Sequence, residues 1–559
     1  MPVLILKILL FLIEIVIVIA ILIISLITIL PPKIKNKKML NRLRKTVGNN
    51  AFVCGKCWLR KNRNNLFEMY IEGDAYERGL VAGRLTKELF SFQEEVFINY
   101  LKKKIPGGIK RFIIKTGIGI YNRKINKHIG DEFSKEIYGI SKSASRKYSY
   151  IAPAYMRIMN YHAAHDIGHT LQDINYVGCT SVSLKGKFTF DNNLLIGRNF
   201  DFYVNDDFCR NKIVAFYRPS TGHPFAMVTW AGMIGVISGM NLKGITITIN
   251  GVKSDIPKHS ATPVSILARE ILQYAGNLKE AKEIAQKRSI FVSELLMVSS
   301  ADEKRTIIIE KTPEKTDVYE NDAESVICTN HFQGDILKNE HFNITNIKES
   351  STMYRYNRVN ELLNKNLPFT AEKMAELLRE KKGVGNAELG LSNEKAINQL
   401  KAHHSVIFIP EKLIMYVSAS PYNLGEYMAY NINNIFTNAT NGCPLKDIDD
   451  INLTIAADNF LVSGEFKKYE EYKKMLETLQ TNNIYSNKED DFFNTLCQLN
   501  PEYYLTYSSV GNYLRNNKRY KEAISWYSKS LCKEFHNINE YKKIKKELDY
   551  CNNHIRANA

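Results

Sequence analysis

A cysteine with a small residue before it and hydroxyl residues after it is the first feature that could do chemistry. In the motif Gly178-Cys179-Thr180-Ser181, small hydroxyl residues and apolar residues begin to alternate after the thiol, as on a half-buried strand. Nineteen residues after Cys179, Arg198 lies in the motif Gly197-Arg198-Asn199-Phe200-Asp201, at the end of a second apolar run. A hairpin that returns Arg and Asp beside a thiol is typical of an activated nucleophile. The alternative is a buried cysteine on a core strand next to a salt-bridged Arg–Asp pair.

Further polar residues lie at the ends of predicted strands or on one face of a predicted helix. Asn250 follows a run of β-branched residues, and Asn330 lies in the motif Cys328-Thr329-Asn330-His331-Phe332. Arg355 and Arg358 are about one helical turn apart, so they share one face. Each signal is weak alone, because asparagine at the end of a strand is commonly a turn residue.

The elements that must position these residues are strands and helices in mixed order. Strands are predicted over 180–184, 194–200, 213–217, 225–230, 236–240, 245–249, 295–299, 305–310, 315–319, 325–329, 405–409 and 413–417. Helices are predicted over most of 74–170, near 262–275 and 278–287, and from 351 onward. This order predicts an α+β fold of two stacked sheets with helices outside.

Taken together, the motifs resemble an N-terminal-nucleophile (Ntn) hydrolase of the penicillin acyltransferase type (acyl-CoA:6-aminopenicillanic acid acyltransferase, peptidase family C45). Bile-salt hydrolase and acid ceramidase are relatives of that family. The resemblance covers roughly residues 65–430. It implies a four-layer αββα sandwich and autoproteolysis between Gly178 and Cys179. The α-amine that this cleavage frees has a pKa of about 8, so it can act as a base near neutral pH.

The resemblance also implies a role for each polar residue. Asp201 would hold the α-ammonium, and Arg198 would lie beside the sulfur, where its charge favours the thiolate. Asn250 would donate to the oxyanion. Asn330 would orient the amine or the tetrahedral intermediate, and Arg358 would lie behind the thiol. The predicted catalytic residues are Cys179, Arg198, Asp201, Asn250, Asn330 and Arg358.

The N-terminal residues 3–30 are almost wholly apolar, interrupted by Lys7 and Glu14. That length is enough for a helix to cross a bilayer. We therefore predict an uncleaved transmembrane anchor over residues 1–32, ended by Pro31-Pro32, and a single-pass membrane localisation. A cleaved signal peptide is the alternative. The basic flank favours a cytoplasmic protein, but folded domains can override that rule, so the side of the membrane stays open.

Residues 33–65 are predicted to be a basic linker and residues 66–178 a mainly helical propeptide or small chain. Gly79 and Gly83 lie on one helical face, a spacing that lets another backbone approach closely. The stretch 162–169 contains His165 and His169 one helical turn apart, but no further ligand is obvious. A packed helix end is therefore favoured over a metal site, and no cofactor is predicted. The catalytic domain is predicted over 179–435.

Composition and net charge limit the class of protein and the kind of partner. The 559 residues allow two to four domains, and 45% hydrophobic and 24% charged residues are ordinary for a globular protein. The net charge of +18 comes with two acid-free basic stretches, 33–67 and 102–127. No nucleic-acid-binding motif accompanies them, so the first stretch favours a membrane surface as partner. Nine scattered cysteines do not form a disulfide framework.

The tail, residues 455–559, is predicted to be a small helical appendage. Tyr507, Val510 and Gly511, followed by Ala523 and Tyr527, resemble one tetratricopeptide repeat (TPR). Such a repeat is typical of a protein-binding module, and the alternative is a helical hairpin that only packs.

The sequence therefore predicts a membrane-anchored, autoprocessed cysteine amidohydrolase or acyltransferase. Its substrates would be small molecules with linear, non-peptide C–N amide bonds, cleaved through a Cys179 thioester. One alternative is a non-catalytic membrane scaffold on the same fold that binds a protein through its tail. The other is a peptidase or thioesterase in which His331 serves as the base.

Overall fold

The computed structural model describes residues 2–34, 42–163, 178–253, 260–439, 442–444, 446–481 and 489–557. The strands are β1 (Lys45–Gly48), β2 (Ala51–Cys54), β3 (Cys57–Lys61), β4 (Phe67–Gly73), β5 (Thr180–Leu184), β6 (Leu195–Phe200), β7 (Ile213–Pro219), β8 (Phe225–Thr229), β9 (Ser238–Asn241), β10 (Ile245–Gly251), β11 (Glu294–Ser300), β12 (Arg305–Lys311), β13 (Thr316–Tyr319), β14 (Ser325–Cys328), β15 (His404–Ile409), β16 (Ile414–Ser418) and β17 (Tyr427–Asn431). The helices are α1 (Pro2–Ile27), α2 (Ala75–Leu85), α3 (Lys87–Lys104), α4 (Gly108–Tyr121), α5 (Ile125–Ile129), α6 (Asp131–Ser141), α7 (Ala154–His162), α8 (Asp206–Arg210), α9 (Val264–Tyr274), α10 (Leu278–Gln286), α11 (His341–Glu349), α12 (Thr352–Lys365), α13 (Ala371–Leu378), α14 (Ile432–Asn438), α15 (Asn459–Val462), α16 (Glu465–Thr481), α17 (Glu489–Leu499), α18 (Tyr504–Asn516), α19 (Tyr520–Leu531) and α20 (Ile538–Ala557).

Two sheets form the centre of the molecule. The larger has eleven strands in the order β1-β2-β3-β4-β7-β8-β9-β10-β11-β12-β13, and the smaller has six in the order β14-β5-β6-β15-β16-β17. Neighbouring strands are antiparallel, except that β4 and β7 run parallel. In the small sheet, β5 lies between β14 and β6, so the start of β5 is flanked by the ends of both neighbours.

Three hydrophobic clusters define the layers. One lies between the sheets and joins Met297 of the large sheet to Ile196 of the small sheet. A second packs the outer face of the large sheet against helices that include α6 and α9, and a third packs the small sheet against α12 and α13. The layers therefore run helix, sheet, sheet, helix, which is the predicted αββα arrangement.

The predicted transmembrane anchor is wrong. No helix in the part of the chain that the structure describes combines the length and the apolarity that a bilayer crossing requires. The prediction counted apolar residues over 3–30, but α1 ends at Ile27, where its last turn contacts Gly119 of α4, and Ile29 is buried. The prediction of a single-pass membrane localisation falls with it.

The predicted linker over 33–65 is also incorrect where the structure describes it. Residues 45–61 form β1, β2 and β3 at one edge of the large sheet. Cys54, Cys57 and Trp58 are buried, and the β2–β3 turn is made by Gly55, whose φ of +67° favours glycine. The basic residues dominated the composition of this stretch, whereas a few apolar positions decide its structure.

The close helix packing predicted from Gly79 is present. A Cβ on Gly79 would lie 1.8 Å from the carbonyl oxygen of Glu136, so α2 and α6 touch backbone to backbone. Gly139 provides the matching surface on α6, because a Cβ there would lie 2.4 Å from the backbone nitrogen of Leu80.

The tail is helical and packs around its own aromatic cluster, which includes Tyr472, Tyr504 and Tyr527. In the repeat-like hairpin, Gly511 of α18 faces the ring of Tyr527 of α19, and Ala523 is fully buried. The cluster also contains Leu400 and Tyr422 from the predicted catalytic domain, so the tail packs directly against that part of the chain.

Candidate active site

Cys179 immediately precedes β5, and the pairing of β5 with β6 brings the predicted polar residues beside it. Ser181 lies opposite Arg198, and Thr180 opposite Asn199. The Nη2 of Arg198 is 3.8 Å from the Sγ of Cys179, within reach of an N–H···S hydrogen bond. The hairpin inferred from the sequence therefore places a guanidinium against the thiol.

The thiol is fully buried, and two opposing effects act on it. Burial raises the pKa of Cys179, and the positive charges of Arg198 and Arg355 oppose that rise. The guanidinium of Arg198 is fixed by Ser238, whose Oγ accepts from Nη1 at 2.6 Å, and by His404 Nε2 at 3.4 Å. In the intact chain the net direction is upward, so the thiol needs a base to become a nucleophile.

Asp201 follows β6 directly and is buried at the same end of the strand pair. Neither of its carboxylate oxygens has a hydrogen-bond partner among the described residues. Burial raises its pKa to about 7, although Arg355 and Arg198 pull it down. A buried carboxylate in this state is costly unless a donor reaches it. An ammonium group on Cys179 would be such a donor.

The arginine that hydrogen-bonds to the residues of this site is Arg355, whereas the predicted residue Arg358 has other partners. Arg355 Nη1 donates to the carbonyl oxygen of Cys179 at 2.6 Å and to Thr180 Oγ1 at 2.9 Å. Arg358 instead pairs with Glu361 and Glu380, each at 2.9 Å. A spacing of three residues puts both arginines on one helix face, but only the earlier one lies over the start of β5.

Asn250 and Asn330 lie beside each other, but their amide donors are engaged. Asn250 Nδ2 donates to the carbonyl oxygens of Cys328 and Thr329, both at 2.9 Å, and its Oδ1 accepts from Ser181. With both N–H groups used, Asn250 offers no donor to an oxyanion in this conformation. Its contacts instead tie the large sheet to the end of β14.

Asn330 joins three segments of the site. Its Nδ2 donates to the Gly251 carbonyl oxygen at 2.7 Å, and its Oδ1 accepts from Arg355 Nη2 at 2.6 Å. Asn330 therefore sets the direction of Arg355, which in turn holds the backbone of Cys179.

The histidines have structural contacts in the described parts of the chain. His331 interacts with the hydroxyls of Thr329 and Thr352, and burial lowers its pKa to about 4. These contacts give no support to His331 as the base for Cys179. His162 accepts from the backbone N–H of Ile234 at 3.0 Å, as a packed helix end would.

The two histidines of the metal alternative, His165 and His169, lie outside the described residues. Among the residues that are described, no group of three or more His, Cys, Asp or Glu side chains is arranged to hold a metal ion.

One neighbour of the thiol was missed by the sequence analysis. Gln399 Nε2 donates to the carbonyl oxygen of Gly178 at 2.7 Å, on the peptide bond before Cys179. Gln399 lies in an irregular, buried stretch between α13 and β15. The only signal in the sequence is a cluster of amides there, with Asn393 and Asn398, which has no periodicity to interpret.

Comparison with known families agrees with this geometry. Residues 189–416 match the family described as acyl-coenzyme A:6-aminopenicillanic acid acyl-transferase. The matched region contains Arg198, Asp201, Asn250 and Asn330, whereas Cys179 and the tail lie outside it. The match confirms the resemblance inferred from the motifs: residues 189–416 are similar to the penicillin acyltransferase family.

Individual relatives are distant. The chain is 26% identical over 274 residues to an uncharacterized protein of Archaeoglobus fulgidus, covering 45% of this chain and 44% of that one. It is 25% identical over 249 residues to protein dcd1A of Dictyostelium discoideum, covering 39% and 52%. The chain thus spans about half the length of the curated relatives it matches. A conjugated bile acid hydrolase from Clostridium perfringens aligns with 17% identity and a TM-score of 0.33, over 46% of this chain and 93% of that structure.

Proposed function

We propose that this chain cuts its own Gly178–Cys179 bond and then works as a cysteine amidohydrolase or acyltransferase on linear, non-peptide C–N amides. The observation that carries the proposal is Asp201, a buried carboxylate without a hydrogen-bond partner among the described residues, at the end of the strand that presents Arg198 to the thiol. Cleavage would create an α-ammonium on Cys179, the partner that this carboxylate lacks.

Maturation proceeds in two steps. The Sγ of Cys179 attacks the carbonyl carbon of Gly178, and the thiol proton passes to the amide nitrogen as the C–N bond breaks. The product is a thioester between Gly178 and Cys179 with a new α-amine on Cys179. Water then adds to the thioester, which releases Gly178 as a carboxylate and returns the thiol.

Turnover reuses the same sulfur with the new amine as its base. The α-amine accepts the thiol proton while Sγ attacks the substrate carbonyl, and it returns the proton to the departing amine. The acyl group remains on Cys179 as a thioester until water or another amine attacks it. Arg198 favours the thiolate by its charge, and Asp201 holds the α-ammonium.

The family match supports the proposed class of bond, because its description names acyl transfer to 6-aminopenicillanic acid, an amine. Both cleavage products stay together in this proposal. β4 precedes the cleavage point and pairs along Phe67–Gly73 with β7, which follows it. Separating the two chains would therefore expose a seven-residue strand in the middle of the large sheet.

The test is the mass of the mature protein. The wild-type chain is expected to give a large fragment that begins at Cys179, and Cys179→Ala a single uncut polypeptide without amidase or acyltransferase activity. A wild-type chain that is active while uncut would contradict the mechanism. An uncut wild-type chain with a thiol inert to alkylation would favour the non-catalytic scaffold.

A further inference from the structure

We infer that Gln399 is a catalytic residue of the self-cleavage step: its side-chain amide stabilises the oxyanion that forms on the Gly178 carbonyl. This inference rests on the proposed maturation at Gly178–Cys179. When Sγ adds to the Gly178 carbon, negative charge develops on the carbonyl oxygen. Gln399 Nε2 already donates to that oxygen at 2.7 Å before the attack, so a donor is in place where the negative charge develops.

Gly178 and the side chain of Gln399 lie in close contact. Both are buried, and a Cβ on residue 178 would lie 2.0 Å from Gln399 Nε2, which is too close for a non-bonded contact. A side chain at residue 178 would therefore displace the amide of Gln399 from this position. The requirement for Gly178 has a second cause besides easy access for the attacking sulfur: it admits the donor.

Gln399 is held on both sides by the catalytic domain. The carbonyl oxygen of Ile397 accepts from Asn199 Nδ2 at 3.1 Å, and Asn199 is the neighbour of Arg198 on β6. The backbone N–H of Asn398 donates to the Glu380 carbonyl at 2.8 Å, and its side chain accepts from the N–H of Leu400 at 3.1 Å. An oxyanion donor on an irregular segment has to be fixed in this way, because reorganisation during the reaction would cancel its benefit.

The tail fixes the beginning of the same segment. Asn500, between α17 and α18, exchanges two hydrogen bonds with the backbone of Leu391, at 2.9 and 3.0 Å. Asn393 Nδ2 donates to the carbonyl oxygen of Glu534 at 3.0 Å. The helical tail thus holds the loop that carries Gln399, which gives the appendage a part in maturation.

Asn250, the oxyanion donor that the sequence predicts, has no free N–H group for this role in the present conformation. Both N–H groups of Asn250 are committed to the carbonyl oxygens of Cys328 and Thr329. Gln399, by contrast, directs its Nε2 to the Gly178 carbonyl oxygen.

The experiment uses the full-length chain and follows by mass spectrometry the appearance of the fragment that begins at Cys179. Gln399→Met keeps the size of the side chain and removes the donor, so cleavage should slow by about 10²–10³-fold. The matched control is Gln93→Met, because Gln93 is also buried and donates to a backbone carbonyl, that of Phe208, at 3.4 Å. It should cleave at the wild-type rate.

A second variant separates chemistry from folding. Gln399→Glu is isosteric, accepts but does not donate when ionised, and regains a donor when protonated. Its cleavage rate relative to wild type at the same pH should be low at pH ~8 and rise as the pH falls toward the pKa of glutamic acid, about 4.3 or higher when buried. A purely structural role predicts no such recovery.

Two outcomes would overturn the inference, and they differ. In the first, the wild-type chain cleaves, but folded Gln399→Met cleaves at the same rate or Gln399→Glu is slowed equally at every pH. Gln399 then takes no part in the reaction, and the proposed maturation stays intact. A wild-type chain that never cleaves removes the maturation itself, and this inference with it.

Discussion

The carbonyl oxygen of Cys179 accepts a hydrogen bond from Arg355 Nη1 at 2.6 Å, which ties helix α12 to the first residue before β5. The same guanidinium reaches Asn330 Oδ1 through Nη2 at 2.6 Å. One side chain therefore joins the nucleophile's backbone to the segment after β14. Arg358, one turn further along the helix, points to Glu361 and Glu380 and takes no part in this network.

We expect the same substitution to have different effects on cleavage at Arg355 and at Arg358. Arg355→Gln should slow the appearance of the mature fragment by about 10²-fold, because a displaced nucleophile backbone loses the geometry of attack. Arg358→Gln should cleave close to the wild-type rate and lose only about 1–3 kcal/mol of unfolding free energy, since it breaks ion pairs away from the thiol. Mass spectrometry and urea unfolding measure the two effects. Equal slowing in both variants would contradict the assignment of Arg355.

Because the carboxyl of Asp201 is buried, we expect the stability of a chain that does not cleave itself to depend on pH. In Cys179→Ala the carboxyl keeps its buried site, where its pKa is about 7 in the folded state against 3.8 unfolded, because burial disfavours the charged form. The folded chain then binds more protons than the unfolded chain between those values. The unfolding free energy should fall as the pH rises through this window, by up to about 1.4 kcal/mol per pH unit from this group.

The test of Asp201 is a difference between variants, because burial also raises the pKa of Glu68 and Glu310 to about 7. Adding Asp201→Asn to the Cys179→Ala chain should remove part of the downward slope and stabilise the protein at pH ~8. Asp335→Asn is the matched control, since that side chain is 93% exposed. An unchanged slope after Asp201→Asn would contradict an unpaired buried carboxyl.

Gly79→Ala should destabilise the helical region before the cleavage point by several kcal/mol, because its Cβ would meet the backbone of Glu136 and push α2 away from α6. Gly117, in α4, is the matched control: a Cβ there meets nothing within 4 Å. Gly117→Ala should be neutral or stabilising by up to about 1 kcal/mol, since alanine favours a helix. Thermal unfolding of both variants in the Cys179→Ala background compares them, and similar melting temperatures would argue against backbone contact.

The sequence predicts this fold best where alternation and turn residues coincide. β5 was placed at its observed bounds and β6 within one residue, because small and apolar residues alternate between clear turns. The strands β1–β3 were not predicted, because basic residues dominate the composition of this stretch, whereas a few apolar positions, among them Trp58, face the core. The choice between Arg355 and Arg358 was not open to sequence analysis, since both share one face and only tertiary packing selects the first. Gln399 could not be recognised from the sequence, because it lies in an irregular loop that shows no helical or strand periodicity.

The contact between tail and loop gives the last prediction. Asn500→Ala removes both hydrogen bonds to the backbone of Leu391 and leaves a half-buried N–H and carbonyl without these partners, a loss of about 1–3 kcal/mol. Because Leu391 begins the segment that ends at Gln399, amide hydrogen exchange should rise across that segment and cleavage at Cys179 should slow. Asn512→Ala is the matched control, since Asn512 accepts from Tyr527 inside the tail, at 2.8 Å. If both variants cleave at the same rate while only Asn500→Ala loosens the loop, the tail stabilises the fold but does not position Gln399.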